Sequence, residues 1–326
     1  MRQGSYFPPF LDHRNQRLHG GLAGFQEAWI GGVSTRRVDE LVQAMGLAGI
    51  SKSQVSKLCK DIDDRVGVFL TRPLEGEWPY LWLDATYIKQ REGGQVVSVA
   101  AIIAVAANTE GKREIVGLHI GPSEAETFWS GFLKTLLRRG LKGVKLVISD
   151  AHEGLKAAIT RVMGASWQRC RVHWMRNALA YVPKAQASVV ALALRQIFGQ
   201  PDQESASKTF RQVADQLRAR WPKLAAFMDD SEADLLAYMA FPAQHRTKLH
   251  STNVLERLNK EVKRRSDVVG IFPNEQSIIR LIGAVLLEQN DEWQLQNRYM
   301  QVEPMAELYS AVAVEPQIRA IPPKSA

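Results

Sequence analysis

Between Trp78 and Gly121 the residue pattern admits little but sheet. YLWLDATYIKQ, residues 80–90, is aromatic and β-branched, and REGG after it has the composition of a hairpin turn. QVVSVAAIIAVAAN, residues 95–108, is apolar enough for a buried strand, and REIVGLHIG, residues 113–121, supplies a third. These runs predict a three-strand meander. SEAETFWSGFLKTLLRRG then predicts a helix opened by a capping box of Ser123 and Glu126, with Phe128, Phe132, Leu136 and Leu137 inward and Gly140 as its stop. VKLVISD, residues 144–150, is a short apolar strand of the kind covered on both faces, and another helix is expected over 151–163.

The resulting order, β-β-β-α-β-α, is that of an RNase H-like core, an α/β fold with a mixed sheet and flanking helices. It makes two acids informative. Asp84 sits within the apolar first strand, where a carboxylate is costly to bury unless something pairs with it. Asp150 ends the fourth strand, the end beyond which open sheets bind ligands. First and fourth strands are neighbours in such a core, so the two acids meet and repel unless a cation lies between them. Mg²⁺, or Mn²⁺ in its place, takes oxygen ligands of this kind, and a pair of ions serves displacement at phosphorus.

A third carboxylate completes such a site. In STNVLERLNKEVKRR, residues 251–265, Val254, Leu255, Leu258 and Val262 form an inward stripe. Glu256 shares a neighbouring face with Asn259, Lys260 and Lys263, which points acid and bases at one substrate. Arg264 and Arg265 extend the basic run. Each acid also has a plainer reading: Asp150 as a helix cap with Glu153, and Glu256 as the closing member of a box begun by Asn253. Asp84 has no such alternative.

The net charge of +8 and pI near 9.5 favour a polyanionic partner. Where the charge lies decides more than its total. In STRRVDELVQAMG, Val38, Leu41, Val42 and Met45 make a helical stripe closed by Gly46; ISKSQVSKLCKDIDDRV follows with a Ser51–Gln54 capping box and an Ile50–Val55 staple. Val55, Leu58 and Ile62 face one way, and Lys52, Gln54, Ser56, Lys57 and Lys60 the other. Two helices about a turn, the second basic outside, predict a helix-turn-helix-like DNA-binding region; an ordinary helical hairpin with a solvated lysine face is the alternative.

From Arg169 to Phe241 strand signals stop and helical spacing takes over, predicting an all-helical insertion before the Glu256 helix and a further apolar helix over 277–290. Within it, RCRVHWMRN places Cys170 and His173 three apart, half of a zinc pattern without a second pair, so both are expected to support the site by packing or hydrogen bonding. Trp174 is a candidate for stacking on a flipped base, and His245 and His250 border the third acid. With two cysteines, no secretory leader and no apolar run of about 18 residues, the chain is expected in the cytoplasm, associated with the nucleoid, with no membrane contact.

LWLDATYIK, LVISDAHEGLKAAI, QRCRVHWMRNALAYVPK and STNVLERLNKEVKRR together resemble the Mutator-type transposases of bacterial insertion sequences, of the DDE class, over residues 2–308. That resemblance implies an RNase H-like domain interrupted by a helical insertion between the second Asp and the Glu, and metal-dependent nicking and joining at terminal inverted repeats. It also implies assembly as a dimer or larger oligomer on double-stranded DNA. The catalytic and metal-binding acids it implies are Asp84, Asp150 and Glu256, with Lys263 at the basic position two turns on. Family members carry a further region ahead of the segment where this chain begins, so a truncated copy or a late start is expected. Two rivals stand beside a transposase: an RNase H-like nuclease without strand transfer, and an inactive DNA-binding remnant. The expected organisation is a lead-in over 1–33, the DNA-binding region over 34–72, and the core's first part over 73–168. The insertion over 169–244, Glu-bearing helices over 245–300 and a tail over 301–326 complete it.

Overall fold

A computed structural model describes residues 52–121 and 125–310. The helix expected around 38–45, the capping box and staple near Ser51, and the capping role of Ser123 lie outside the described residues, as do the side chains of Lys52 and Gln54.

Helix α1 (Lys52–Thr71) leads into three long strands, β1 (Tyr80–Glu92), β2 (Gln95–Ala107) and β3 (Arg113–Gly121). The expected hairpin joins β1 to β2: Glu92 pairs with Gln95, and Gly93 and Gly94 turn the chain at φ 56° and 82°. Positive φ at both turn positions is what a right-twisted two-residue hairpin needs and what glycine alone adopts freely. After α2 (Glu126–Arg138) come β4 (Leu146–Ser149), α3 (Glu153–Met163) and β5 (Ser166–Arg169). The sheet order is β3-β2-β1-β4-β5, antiparallel across its first three strands and parallel from β1 through β5. The fold is thus α/β with a mixed five-strand sheet. Strand β5 has no apolar run to announce it; SWQR is recognisable only by its parallel pairing with β4.

Both faces of the sheet are covered. On one, Leu81, Leu83 and Val147 meet Trp129, Phe132, Leu133 and Leu136 of α2 and Leu155 and Ile159 of α3. Leu133 replaces Leu137 in the expected stripe, and Leu137 is exposed, because the i, i+3, i+4, i+7 row of this helix begins at Trp129 rather than Phe128. On the other face, Tyr80, Trp82 and Ile148 meet a larger helical layer.

That layer starts with α4 (Arg171–Leu179), α5 (Lys184–Phe198), α6 (Gln203–Arg218), α7 (Pro222–Asp229) and α8 (Glu232–Leu236). A 3₁₀ turn at Ala237–Ala240, α9 (Ala243–Leu249), α10 (Asn253–Val269) and α11 (Glu275–Leu295) follow. Trp174 is wholly buried here, stacked on Phe227 at 5.8 Å with its Nε1–H donated to Ser231 Oγ at 2.7 Å. A side chain so enclosed cannot stack on a flipped base, which corrects that expectation. His245 is likewise buried, bonded to the Tyr80 hydroxyl at 2.8 Å and the Gln301 carbonyl at 2.9 Å.

Helix α1 docks on α11. Ile62 and Val66 pack against Ala284, and Arg280 closes a two-pronged ion pair on Asp63 at 2.7 and 2.5 Å. Beyond Val302, where a loose tail is expected, a 3₁₀ turn at Glu303–Met305 and a short α12 (Glu307–Ser310) follow, and Met305 joins the core at 3 % exposure. No described helix is long and apolar enough to cross a membrane.

Candidate active site

Strand pairing sets the first two acids. Strand β1 runs parallel to β4 with Tyr80 opposite Leu146, Leu81 opposite Val147 and Trp82 opposite Ile148. Asp84 follows Trp82 by two residues and Asp150 follows Ile148 by two, so the parallel ladder carries both acids toward the same end of the two strands. Helix α10 crosses this end of β1 and brings the third. Asp84, Asp150 and Glu256 line one open cavity of about 660 Å³, with His173 and Asn259 beside them and Lys260, Lys263 and Arg264 along the rim.

The structure removes the capping readings. His152, not Asp150, caps α3, accepting from the Leu155 N–H at 3.2 Å, while Asp150 Oδ1 takes the adjacent Ala151 N–H at 2.7 Å. Helix α10 has Thr252 as its N-cap, so Asn253 already lies inside the helix and begins no box with Glu256. The Thr252 hydroxyl makes no cap bond; it lies 3.3 Å from Cys170 Sγ. Glu256 Oε1 is buried with no hydrogen-bond partner among the described residues.

Asp84 is held by a partner that sequence reasoning placed on the right face without a role. Asn259, three residues after Glu256 and so on the same side of α10, donates Nδ2–H to Asp84 Oδ2 at 2.6 Å, and the Ala85 N–H donates to Oδ1 at 2.9 Å. Even so, burial pushes the Asp84 carboxyl up from 3.8 to about 6, and the Asp150 charge pushes the same way. The Ala85 N–H, the nearby His173 and Asn259, in that order, pull it back only in part.

Cys170 and His173 lie against this trio, at the start of α4. Cys170 is fully buried; its N–H donates to the Ser149 carbonyl at 2.7 Å, which ties the start of α4 to the end of β4. A hydrogen bond to Cys170 is the main cause that lifts the His173 imidazole to about 9, with the charges of Cys170, Asp150 and Asp84 adding to it. Burial pushes the Cys170 thiol up, yet the bonds from His173 and Thr252 outweigh it and the net direction is down. His173 Nδ1 stands 3.7 Å from Asp150 Oδ2, an electrostatic contact rather than a hydrogen bond.

The basic residues divide. Lys260 and Lys263 are exposed at the cavity rim. Arg264 lines it too while bonding Glu261 at 2.7 Å. Arg265 is turned elsewhere: at 12 % side-chain exposure it bridges Glu261 and Glu288 of α11 at 2.7 and 2.8 Å and does not line the cavity. Ser56, Lys57 and Lys60 are exposed on α1, on the side away from Leu58 and Ile62.

The donor set fits a hard divalent cation. Three carboxylates surround one cavity, Glu256 offers an unpartnered buried oxygen, and Asp84 is kept short of full ionisation by burial that a cation would offset. The three acids are not, however, the metal-capable group gathered within 4.8 Å. Among the described residues, the trio of metal-capable side chains whose ligand atoms lie within 4.8 Å of one another is Cys170, His173 and Glu256.

Known proteins resemble this chain along nearly its whole length. The family model for Mutator-family transposases matches residues 1–296. The transposase for insertion sequence element IS1081 of Mycobacterium tuberculosis is 45 % identical over 315 residues, covering 96 % of this chain and 76 % of the relative. The transposase for IS406 of Burkholderia multivorans is 39 % identical, covering 93 % of this chain and 79 % of the relative. The transposase for IS256 in transposon Tn4001 of Staphylococcus aureus is 38 % identical, covering 90 % and 76 %. On a family match of this extent and relatives of this similarity, the chain belongs to the Mutator family of transposases, enzymes that cut DNA and transfer it.

Proposed function

We propose that the chain is the transposase of an insertion sequence, acting through a DDE site of Asp84, Asp150 and Glu256 on an RNase H-like core. The observation that carries this is that Asp84 of β1, Asp150 just beyond β4 and Glu256 of α10 line one cavity, at the end of the sheet to which the parallel β1–β4 ladder runs. The sheet order, the helical segment between β5 and α10, and α10 crossing β1 support reading the whole as such a core with an all-helical insertion. The segment before β1 is the DNA-binding region, of which α1 presents Lys57 and Lys60.

Asp84, Asp150 and Glu256 would hold two Mg²⁺ or Mn²⁺ ions. Bound there, such ions supply activation of an attacking oxygen and stabilisation of a leaving one at phosphorus. The chain's own part is positioning. Asn259 fixes one oxygen of Asp84 and leaves the other on the Ala85 N–H, so the carboxyl cannot rotate away from the cavity. Lys260 and Lys263 at the rim meet a phosphodiester backbone, one turn of α10 apart. His173 sets a positive charge beside Asp150 and restrains the repulsion between the acids. The substrate is double-stranded DNA at the element's inverted-repeat ends; the 3′-hydroxyl freed by hydrolysis then attacks target DNA in the same cavity. Two ends must be held together, so the active form is a dimer or larger assembly.

The test uses duplexes carrying an element end, either intact or pre-nicked, with Mg²⁺ and with Asp84→Asn, Asp150→Asn and Glu256→Gln beside the unaltered chain. Each substitution is expected to lower cleavage and joining at least about a hundredfold while DNA binding persists. Variants that cut as well as the unaltered chain overturn the assignment, and cleavage of intact ends without joining of pre-nicked ones makes the protein a nuclease.

A further inference from the structure

The side chains most tightly gathered around this cavity are not the three acids. Cys170 Sγ, a ring nitrogen of His173 and a carboxylate oxygen of Glu256 lie within 4.8 Å of one another. They come from two helix starts that the backbone ties together: the Arg171 N–H bonds the His250 carbonyl at 2.8 Å, two residues before the cap of α10, while the Cys170 N–H anchors the start of α4 to the Ser149 carbonyl of β4 at 2.7 Å. Both Glu256 Oε1 and His173 Nδ1 are buried atoms without a hydrogen-bond partner among the described residues. Buried polar atoms left open in this way cost stability unless a ligand uses them.

We infer that Cys170, His173 and Glu256 form a site for a borderline-soft divalent cation of the zinc class, whose occupancy withdraws Glu256 from the Mg²⁺ site and so switches the enzyme off. A sulfur, a nitrogen and an oxygen donor with a fourth position open toward the cavity match zinc, which accepts all three in a tetrahedral arrangement. Mg²⁺ refuses thiolate and demands oxygen, so the two cations sort themselves between overlapping donor sets. The thiolate and carboxylate balance the charge of one dication, with the imidazole neutral. Tetrahedral zinc sets such donors about 3.5 Å apart, close enough to the present spacing for small side-chain rotations to complete it. The thiol is held meanwhile by the Thr252 N–H and hydroxyl at 3.5 and 3.3 Å, contacts that fix where the sulfur sits. The site rests on the reading of Glu256 as a catalytic ligand only for its consequence, inhibition. Its existence does not depend on that reading.

Co²⁺ added to the metal-free full chain serves as a coloured substitute for zinc. One equivalent is expected to produce a thiolate-to-cobalt charge-transfer band that Zn²⁺ bleaches. The chain has two cysteines, so the assignment is direct: the band survives Cys59→Ser and vanishes in Cys170→Ser. Zn²⁺ affinity falls at least about a hundredfold in Cys170→Ser, beyond the loss typical of altered outer-shell partners. His173→Ala, which changes a half-buried residue, weakens Zn²⁺ binding similarly and guards against misfolding of the cysteine variant. In the cleavage assay, one equivalent of Zn²⁺ suppresses Mg²⁺-dependent cutting, and in Cys170→Ser it no longer lowers the rate relative to that variant's own zinc-free value. No charge-transfer band, or one that persists in Cys170→Ser, overturns the site. Glu256→Gln separates the two readings: loss of cutting with unaltered Zn²⁺ affinity refutes the shared ligand alone, whereas lost Zn²⁺ affinity with cutting intact refutes only the catalytic assignment.

Discussion

Removing the Asp84 charge is expected to stabilise the metal-free protein while abolishing its chemistry. Burial lifts this carboxyl from 3.8 to about 6, so the folded state holds its proton over a range where the unfolded chain has already released it. At any pH above about 6 both states are ionised, and the native carboxylate carries the whole cost, about 3 kcal/mol. The sign follows from proton counting: between 3.8 and about 6 the folded state binds more protons than the unfolded, so stability falls as pH rises through that window. Asp84→Asn keeps the shape and deletes the ionisation. Its one new difficulty, an amide facing the Asn259 amide, is resolved by flipping Asn259, whose buried Oδ1 has no partner among the described residues and can accept the new N–H. Urea unfolding in chelator should therefore show the variant about 3 kcal/mol more stable than the parent at pH 8 and nearly equal to it at pH 3.5, where the carboxyl is largely protonated in both states. Mg²⁺ should narrow the gap by stabilising the parent alone. A variant less stable than its parent at pH 8, or a difference of equal size at both pH values, would refute the idea that the fold stores a desolvated charge at this position.

Three further outcomes follow from the packing. Trp174→Ala should cost about 3–5 kcal/mol, seen as an earlier unfolding midpoint, and a near-neutral result would contradict its wholly buried place among Phe198, Phe210 and Phe227. Gly283→Ala would set a methyl 2.3 Å from Val66 Cγ1 where α11 meets α1; a loss of about 1–3 kcal/mol is expected, and none if the two helices do not dock as described. Lys263→Ala, at the cavity rim, should weaken DNA binding evenly across sequences and reduce the salt slope of log affinity by about one; an unchanged slope would place the phosphates elsewhere.

Much of this protein was legible from residue order, because the information is local. Alternation and β-branching mark β1 to β3, the Gly-Gly turn marks their hairpin, and the spacing of Val254, Leu255, Leu258 and Val262 marks the buried side of α10. The anomaly of Asp84 was visible for the same reason: one charge in an apolar strand stands out without knowledge of its neighbours. Local pattern misled where it was thin or ambiguous. Strand β5 is four residues that only β4 makes a strand, the buried row of α2 begins one residue later than expected, and Arg265 looks like its basic neighbours until Glu288 is brought to it. What only the tertiary structure decided is adjacency across long loops. The parallel pairing of β1 with β4 brings Asp84 and Asp150 to one cavity, the docking of α10 gives Asp84 its bond to Asn259, and the meeting of two helix starts gathers Cys170, His173 and Glu256. Periodicity says which way a side chain points from its own backbone; it carries no term for which distant backbone lies opposite, since that is settled by the closest packing of all the elements at once.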